Sequence, residues 1–464
     1  MLEASDALLP DARFLLLAAA VRERDWASAR RQVEAIERDN LFAFSVPVLR
    51  AWLALGSGQG DPLSFLAATD ASGMTATYAA EHRPLLLIAA NRPEGPAQLG
   101  QSTAAPGPRG LRLRIAAAAT LAARGQRDAA LALLQSDEPP AIAARRLIEQ
   151  GRPVPGAIDS AADGIAEFLV RLSLDLHAQD VTSVAATFAS LATWLAPDSS
   201  ETWMVAAELA GQEDRHESAV AMLANVPAGD PYAETVRDQR IRLLIDGGRN
   251  QDALGEAEAA ARAGSARAAD QVRLGEVLMS LRRPREAAAA FARAIELRGS
   301  DPGAYPEWAL WLLRGGAHDE AEDWPQARAA LSEAYRLAPT EPLVLNYLGY
   351  AQLERRENIA EAERLIREAH RLAPDNAAIT DSLGWALFLK GEREEGIALL
   401  ERAAQSAPAD VEINEHLGDA YFAAGRRVEA RFAWAAARVY AEGEDAARLD
   451  AKMVAGLTPR LAAR

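Results

Sequence analysis

The sequence predicts an all-α protein in which antiparallel helix pairs stack along the chain as a solenoid. Two observations on composition and one pattern lead to this prediction. Half of the 464 residues are hydrophobic but only 6% are aromatic. Ala and Leu supply most of the apolar content, and they favour close-packed helices over strands. The pattern is a recurrence of small residues every 34 residues over much of the chain.

Three series of residues share the phase of this repeat. The small residues keep a step of 34, interrupted by one step of 40 and one of 35. Prolines and Leu-Gly pairs recur at matching places. The small residues are Ala185, Ala219, Ala253, Ala287, Ala327, Ala362, Gly396 and Ala430; the prolines are Pro197, Pro339, Pro374 and Pro408; the paired glycines are Gly275, Gly349, Gly384 and Gly418. A period of this length indicates a repeated helix-turn-helix unit.

The small residues have a physical role within each helix pair. Two short antiparallel helices approach closely only where one helix offers Gly or Ala to a bulky residue of the other. We therefore expect Gly384 to face Gly396 and Leu400, and Gly418 to face Trp434. The glycines of the Leu-Gly pairs are then parts of a packing seam and not of a phosphate-binding loop.

The turns and helix ends fit the same unit. Gly391 and Gly425 can adopt the positive φ that a turn after the first helix requires, and Pro325 suits the first turn of a second helix. The closing prolines end each second helix, since proline disfavours helix in the residue before it. Asp375 or Asp410 can then cap the helix that follows.

These features resemble the tetratricopeptide repeat over about residues 157–440. The segments "NYLGYAQLERRENIAEAERLIREAHRLAPDN", "DSLGWALFLKGEREEGIALLERAAQSAPAD" and "INEHLGDAYFAAGRRVEARFAWAAA" carry the resemblance. It implies a right-handed superhelical solenoid and a non-enzymatic protein that binds other proteins. More narrowly, "LNYLGY", "DSLGWALF" and "INEHLGDAYFAAGRR" are similar to the C-terminal repeats of bacterial cell-envelope tetratricopeptide proteins. These include lipoprotein adaptors that recruit a processing protease.

The predicted organisation has three parts. Residues 1–151 form a degenerate region of helical hairpins, with pairs around Trp26 and Gly125, and a boundary follows at residues 152–156. The solenoid covers 157–440, with its best repeats at 342–374, 377–408 and 411–440, and a capping helix and tail occupy 441–464. The stretches "NRPEGPAQLGQSTAAPGPRG" and "LRGSDPGAYPEW" are expected to be loops because of their Gly and Pro content.

Composition excludes several classes of function. The formal charge of −16 repels phosphate backbones, so nucleic acid is not an expected partner. There is no cysteine, which excludes thiol chemistry and thiolate metal sites. The apolar run 14–21 is too short to span a bilayer. We expect a soluble chain, located in the periplasm or envelope if further sequence precedes Met1 and otherwise in the cytoplasm.

No motif indicates catalysis, a metal or a cofactor. The six histidines form no paired set. The acidic group "HDEAED" lacks the spacing and the Gly of a calcium loop, and "GSGQG" lacks the context of a nucleotide site. The sequence has neither a nucleophile elbow nor a kinase signature. We therefore predict a chain that is not an enzyme and binds no cofactor.

The resemblance implies which residues meet a partner. In the family, positions 2, 5, 9, 12 and 13 of each repeat face the inner wall, and each aromatic there either contacts a ligand or packs on the next repeat. The candidate partner-binding residues are Asn346, Tyr350, Leu353, Asp381, Trp385, Phe388, Glu415, Asp419 and Phe422.

The charge of these candidates predicts the partner. Asn346, Asp381 and Glu415 at the fifth positions disfavour capture of a C-terminal carboxylate. We expect a protein or peptide segment with apolar anchors and some basic character. An envelope adaptor and a self-associating architectural protein remain alternatives.

Overall fold

The computed structural model describes residues 10–67, 73–102, 108–264, 266–300 and 305–458, and the regular elements within these residues are all helical. The all-α class and the antiparallel helix pairs predicted from the sequence are confirmed. The chain divides into two compact units, Met1–Glu256 and Ala257–Arg464. The expected boundary at residues 152–156 lies inside the first unit and stays a prediction.

Unit 1 contains helices of 4 to 17 residues, and the last of them crosses the boundary into unit 2. The hairpins expected around Trp26 and Gly125 are the pairs α1–α2 and α7–α8. The helices are α1 Pro10–Arg22, α2 Trp26–Asp39, α3 Val46–Ser57, α4 Ser64–Ala67, α5 Gly73–Ala89, α6 Gly95–Ser102, α7 Pro108–Ala123, α8 Arg127–Leu133, α9 Pro139–Glu149, α10 Ala161–His177, α11 Thr182–Leu195, α12 Ser200–Gln212, α13 His216–Leu223, α14 Ala233–Asp246 and α15 Asn250–Arg262. Short 3-10 turns occupy Ala43–Ser45 and, in unit 2, Arg298–Ser300.

Both segments expected to be loops are partly helical; in the second, Arg298–Ser300 form a 3-10 turn and an α-helix begins at Glu307. Helix α6 lies within "NRPEGPAQLGQSTAAPGPRG". Pro96 stands in its first turn, where the missing N–H costs no hydrogen bond. Leu99 is completely buried, and Gly95 approaches α5 so closely that a Cβ would lie 2.8 Å from Ile88 Cγ1. Tertiary packing therefore overrides the loop-forming composition. Residues 103–107, and residues 301–304 of the second expected loop, lie outside the described residues.

Unit 2 consists of five consecutive helix pairs followed by a single helix. The first pair is α16 with α17, the fifth is α24 with α25, and α26 follows. The helices are α16 Ala268–Ser280, α17 Pro284–Leu297, α18 Glu307–Glu320, α19 Trp324–Leu337, α20 Pro342–Glu354, α21 Ile359–Leu372, α22 Ala377–Lys390, α23 Arg393–Ser406, α24 Val411–Ala423, α25 Arg427–Tyr440 and α26 Gly443–Ala455.

The predicted seam of small residues holds each pair together. A Cβ added to Gly384 would lie 2.9 Å from the carbonyl oxygen of Gly396 and 3.0 Å from Leu400 Cγ, and a Cβ added to Gly418 would lie 2.3 Å from Trp434 Cδ1. These distances confirm that the two helices of a pair meet where one presents glycine. Any larger side chain would force the helices apart.

Turn residues act as predicted, with one exception. Gly391 and Gly425 have φ of 100° and 86° in the turns after α22 and α24. The Asp410 side chain caps α24 by accepting a hydrogen bond of 3.0 Å from the backbone N–H of Ile413. At α22 the cap is Asn376 and not Asp375, because Asn376 directly precedes the helix and accepts from the third residue beyond it at 3.1 Å.

Unit 1 also contains a buried group of charges. Arg112 of α7 donates two hydrogen bonds, of 2.5 and 2.6 Å, to Glu167 of α10, and lies 3.4 Å from Glu201 of α12. Two carboxylates thus share one guanidinium. Burial raises the pKa of Glu201 to about 7, although Arg112 counteracts it. This carboxyl therefore binds a proton more tightly in the folded protein than in the unfolded chain.

Replacing Gly418 by Ala is expected to lower stability by about 1–3 kcal/mol, because the new methyl group overlaps the Trp434 ring. Thermal unfolding followed by circular dichroism measures the change. Gly255→Ala in α15 is the matched control: no atom lies within 4 Å of the position that its new Cβ would take, and alanine should stabilise that helix by about 0.5–1 kcal/mol. Equal shifts in both variants would contradict the seam.

The Glu201→Gln variant is expected to lose a pH dependence of unfolding. Because the folded pKa of Glu201 is raised to about 7, its contribution to stability is complete below its ordinary pKa. That contribution, about 3 kcal/mol at most, is lost as the pH rises through 7. Urea unfolding at about pH 4.5 and about pH 8 should therefore differ less in the variant than in the parent chain. An unchanged difference would show that Glu201 does not carry it.

Candidate protein-binding surface

The nine candidate residues lie on the first helices of the last three pairs. Helix α20 carries Asn346, Tyr350 and Leu353; α22 carries Asp381, Trp385 and Phe388; α24 carries Glu415, Asp419 and Phe422. Five of the nine side chains are buried, namely Leu353, Asp381, Trp385, Glu415 and Asp419, and the other four are half-buried. The structure joins most of them into two hydrogen-bonded or stacked groups.

The first group surrounds a buried histidine. The His416 ring of α24 stacks on Trp385 of α22 with 4.5 Å between ring centroids, and its Nδ1 lies 2.8 Å from Asp381 Oδ2. The Tyr350 hydroxyl of α20 lies 3.3 Å from His416 Nε2 and donates a hydrogen bond of 3.2 Å to Glu412. Side chains of three successive first helices therefore meet at His416.

The charge of His416 is fixed by its carboxylate partner. Burial alone would lower the pKa of His416, but the carboxylate of Asp381 raises it to about 9. At neutral pH the pair is therefore an imidazolium and a carboxylate, both almost completely buried. Removing either partner would leave the other as an uncompensated buried group.

The second group is held by the last helix of the chain. Lys452 of α26 is completely buried and donates to Glu415 at 2.6 Å and to both carboxylate oxygens of Asp419 at 2.8 Å. Arg448 donates twice to Glu415, at 2.8 and 2.7 Å, and Trp434 Nε1 donates to Asp419 at 2.9 Å. Burial would raise the pKa of Glu415, but Arg448 and Lys452 hold it below its ordinary value.

The remaining candidates take no part in these ion pairs. Phe388 stacks on Trp385 with 5.7 Å between ring centroids, and Phe422 packs against Trp434 and Gly456. Leu353 belongs to the apolar core between α20 and α22. The carbonyl oxygen of the Asn346 side chain is buried and accepts no hydrogen bond from any described residue.

An exposed acidic surface lies beside the two groups. It consists of Glu320 on α18, Glu354 on α20 and Glu412 on α24, together with Tyr347 and Tyr350. Burial and then the carboxylates of Glu412 and Glu354 raise the pKa of Tyr350. Burial and then the carboxylates of Asp319, Glu320 and Glu354 raise the pKa of Tyr347. No cation within the described residues pairs with Glu320 or Glu412, whereas Glu354 lies 3.8 Å from Arg355 Nη1.

The candidate set omitted these three carboxylates although the sequence contains a signal for them. Glu412 occupies position 2 of its repeat, and Glu320 and Glu354 occupy position 13 of theirs, which are inner-wall positions of the family. The sequence contains no such signal for His416 and Lys452. Their roles depend on contacts with Asp381 and Glu415, which lie 35 and 37 residues away.

The described residues contain no cluster of side chains that could hold a metal ion, and none of the described helices is long and apolar enough to cross a membrane. The buried ion pairs and aromatic stacks pack the first helices together, and the exposed acidic surface is available for binding another molecule.

The Asp381→Asn variant should lose the contribution of His416 to pH-dependent stability. Since the folded pKa of His416 is raised to about 9, this contribution is complete below its ordinary pKa and is lost as the pH rises through 9. Its size is about 3 kcal/mol. Urea unfolding at about pH 6 and about pH 10 measures it. Asp375→Asn, which removes the same charge at an exposed position, should behave as the parent; matching profiles for all three proteins would contradict the assignment.

Comparison with known proteins identifies the repeats. The family model described as the tetratricopeptide repeat matches five overlapping windows, residues 239–304, 272–342, 312–377, 348–411 and 382–447. The match does not extend to residues 157–238, where the expected solenoid stays a prediction. No curated protein matches the chain in sequence.

Solved structures similar to this chain include tetratricopeptide proteins. A thermophilic one from Thermus thermophilus is 21% identical, with 40% of this chain and 99% of that chain covered and a TM-score of 0.35. One from Parabacteroides merdae is 12% identical, with coverages of 54% and 97% and a TM-score of 0.43. The APC/C hetero-tetramer Cut9-Hcn1 is 16% identical, with coverages of 98% and 92% and a TM-score of 0.41.

The Leu-Gly seam, the antiparallel pairs and the family match agree on the same part of the chain. Residues 239–447 of this protein belong to the tetratricopeptide-repeat family.

Proposed function

We propose that this chain is a non-enzymatic scaffold that binds a segment of another protein on the first helices of unit 2. Tetratricopeptide repeats support a role in protein interaction in general. The finer proposal concerns the partner, which carries apolar anchors and basic groups. The observation on which it depends is the acidic surface of Glu320, Glu354 and Glu412 around two tyrosines.

The buried ion pairs of the last repeat support the basic character of the partner. Glu415 and Asp419 occupy the same kind of inner-wall position as the acidic surface, and the groups that satisfy them are Arg448 and Lys452 of α26. In this chain, basic side chains of a helix thus already neutralise carboxylates at inner-wall positions. A partner segment with Lys or Arg would match Glu354 and Glu412 in the same way.

The half-buried candidates supply the other contacts. The Tyr350, Phe388 and Phe422 rings offer apolar area, which contributes most to the affinity of a bound segment. The Asn346 side-chain oxygen is buried, and the rest of this half-buried side chain would contact the partner. The buried candidates would hold these exposed side chains in position; they are Leu353, Asp381, Trp385, Glu415 and Asp419.

Selection of random phage-displayed peptides on the folded chain tests the proposal. Enrichment of peptides that combine Leu or aromatic residues with Lys or Arg is the expected result. The selected peptide should bind the Glu354→Lys, Glu412→Lys double variant at least about tenfold more weakly, because two attractive charges become repulsive. Fluorescence anisotropy measures the affinity.

The matched control is the Glu394→Lys, Glu395→Lys double variant, which makes the same charge change at exposed positions of α23. It should retain the affinity of the parent chain. Enrichment of acidic peptides, or equal losses in both variants, would refute the site. If no peptide binds and light scattering shows a molar mass that rises with concentration, the chain would instead be a self-associating architectural protein. Capture of a protease from a bacterial envelope extract would favour the envelope adaptor.

A further inference from the structure

The outer face of α25 exposes a line of apolar side chains. Val428, Phe432 and Val439 are 65%, 72% and 73% exposed, and Ala435 is exposed between them. Spacings of four, three and four residues place these side chains along one side of the helix. The opposite side of α25 already packs through Trp434 into unit 2, so the exposed line is additional to what the fold requires.

The preceding second helices lack this line. The corresponding exposed or half-exposed residues are Glu394, Ala398, Glu401 and Gln405 in α23, and Ala360, Arg364, Arg367 and Arg371 in α21. The fold therefore does not need large apolar residues at these solvent-facing positions, because polar residues and Ala occupy them in α21 and α23. The large apolar residues are specific to the last repeat.

Charges next to the line differ in the same way. Helix α25 has three arginines and one other charged residue, Glu429, in a chain of formal charge −16. Arg438 pairs with Asp450 at 2.9 Å, but Arg427 and Arg431 form no ion pair with any residue that the structure describes. In α21, by contrast, arginines stand at three positions of the line itself, Arg364, Arg367 and Arg371, and each pairs with a glutamate of the same helix.

We propose that this face of α25, defined by Val428, Phe432, Ala435 and Val439 with Arg431 at its side, binds an amphipathic α-helix of a partner protein. The partner helix has apolar residues at the same spacing and Glu or Asp beside them. Alternating steps of four and three are the pattern through which one helix packs against another, and the flanking charges select the partner. The 14 residues of α25 offer four turns for this contact.

The charges argue against a second copy of α25 as the occupant. In an antiparallel pair the Arg431 flank of one copy would lie against the arginine flank of the other, and like charges repel. In a parallel pair Arg431 would face Ala436, which offers no carboxylate. A membrane surface is disfavoured as well, because helices that lie on membranes have a broad apolar face, whereas this line is about one side chain wide.

This site shares no residue with the surface on the first helices, so the two proposals can fail independently. The test uses two fluorescein-labelled helical peptides with Leu at the four-three spacing, one with Glu and one with Lys at the flanking positions. The full chain should bind the Glu peptide at least about tenfold more tightly, as measured by anisotropy. Phe432→Glu should abolish this binding, and Arg431→Glu should reverse the preference.

Ala398→Glu, at the corresponding position of α23, is the matched control and should bind the Glu peptide as the parent does. Circular dichroism checks that each variant is folded. The Glu354→Lys, Glu412→Lys variant should also keep this binding. Equal affinity for both peptides, or binding that survives Phe432→Glu, would overturn the proposal. So would Phe432-dependent binding to phosphatidylglycerol vesicles or Phe432-dependent dimers in light scattering, if the Glu peptide does not bind.

Discussion

Direct contact between the backbones of paired helices is the constraint on which unit 2 depends. Gly384 and Gly396 face each other so closely that a Cβ on either would lie 2.9 or 2.7 Å from the other's carbonyl oxygen. Backbone atoms cannot rotate away as a side chain can, so these two glycines set the distance between α22 and α23. Leu400 and the other bulky residues then fill the space that this distance leaves.

The same constraint explains which parts of the fold were predictable. Small residues, closing prolines and turn glycines recur at a fixed step, and each acts within a single helix pair, so their pattern is visible in the sequence. The part of unit 1 before Ala185 lacks that regularity. Helix α6 was predicted as a loop because its composition is rich in Gly and Pro, whereas its stability comes from burying Leu99 and from the contact of Gly95 with Ile88. No local pattern reports such a contact.

The candidate surface was predictable in position but not in its internal partners. Repeat numbering places its residues on α20, α22 and α24, and it also marks Glu354 and Glu412. The partners of Asp381 and Glu415, which are His416 and Lys452, are 35 and 37 residues away. Buried charges of this kind must be paired to be tolerated. Sequence spacing shows that a carboxylate faces inward, but not whether the chain or another molecule satisfies it.

Helix α26 also determines where the stack of repeats ends. Adding a further repeat after α25, or stacking another molecule end to end there, would first have to expose Lys452 and Arg448 or provide substitutes for them. Glu415 and Asp419 would otherwise be left as buried carboxylates without a counter-charge, a costly state. The charge match between α24 and α26 therefore fixes how the array ends and not how long it is, because a repeat inserted upstream of α24 would leave the match intact.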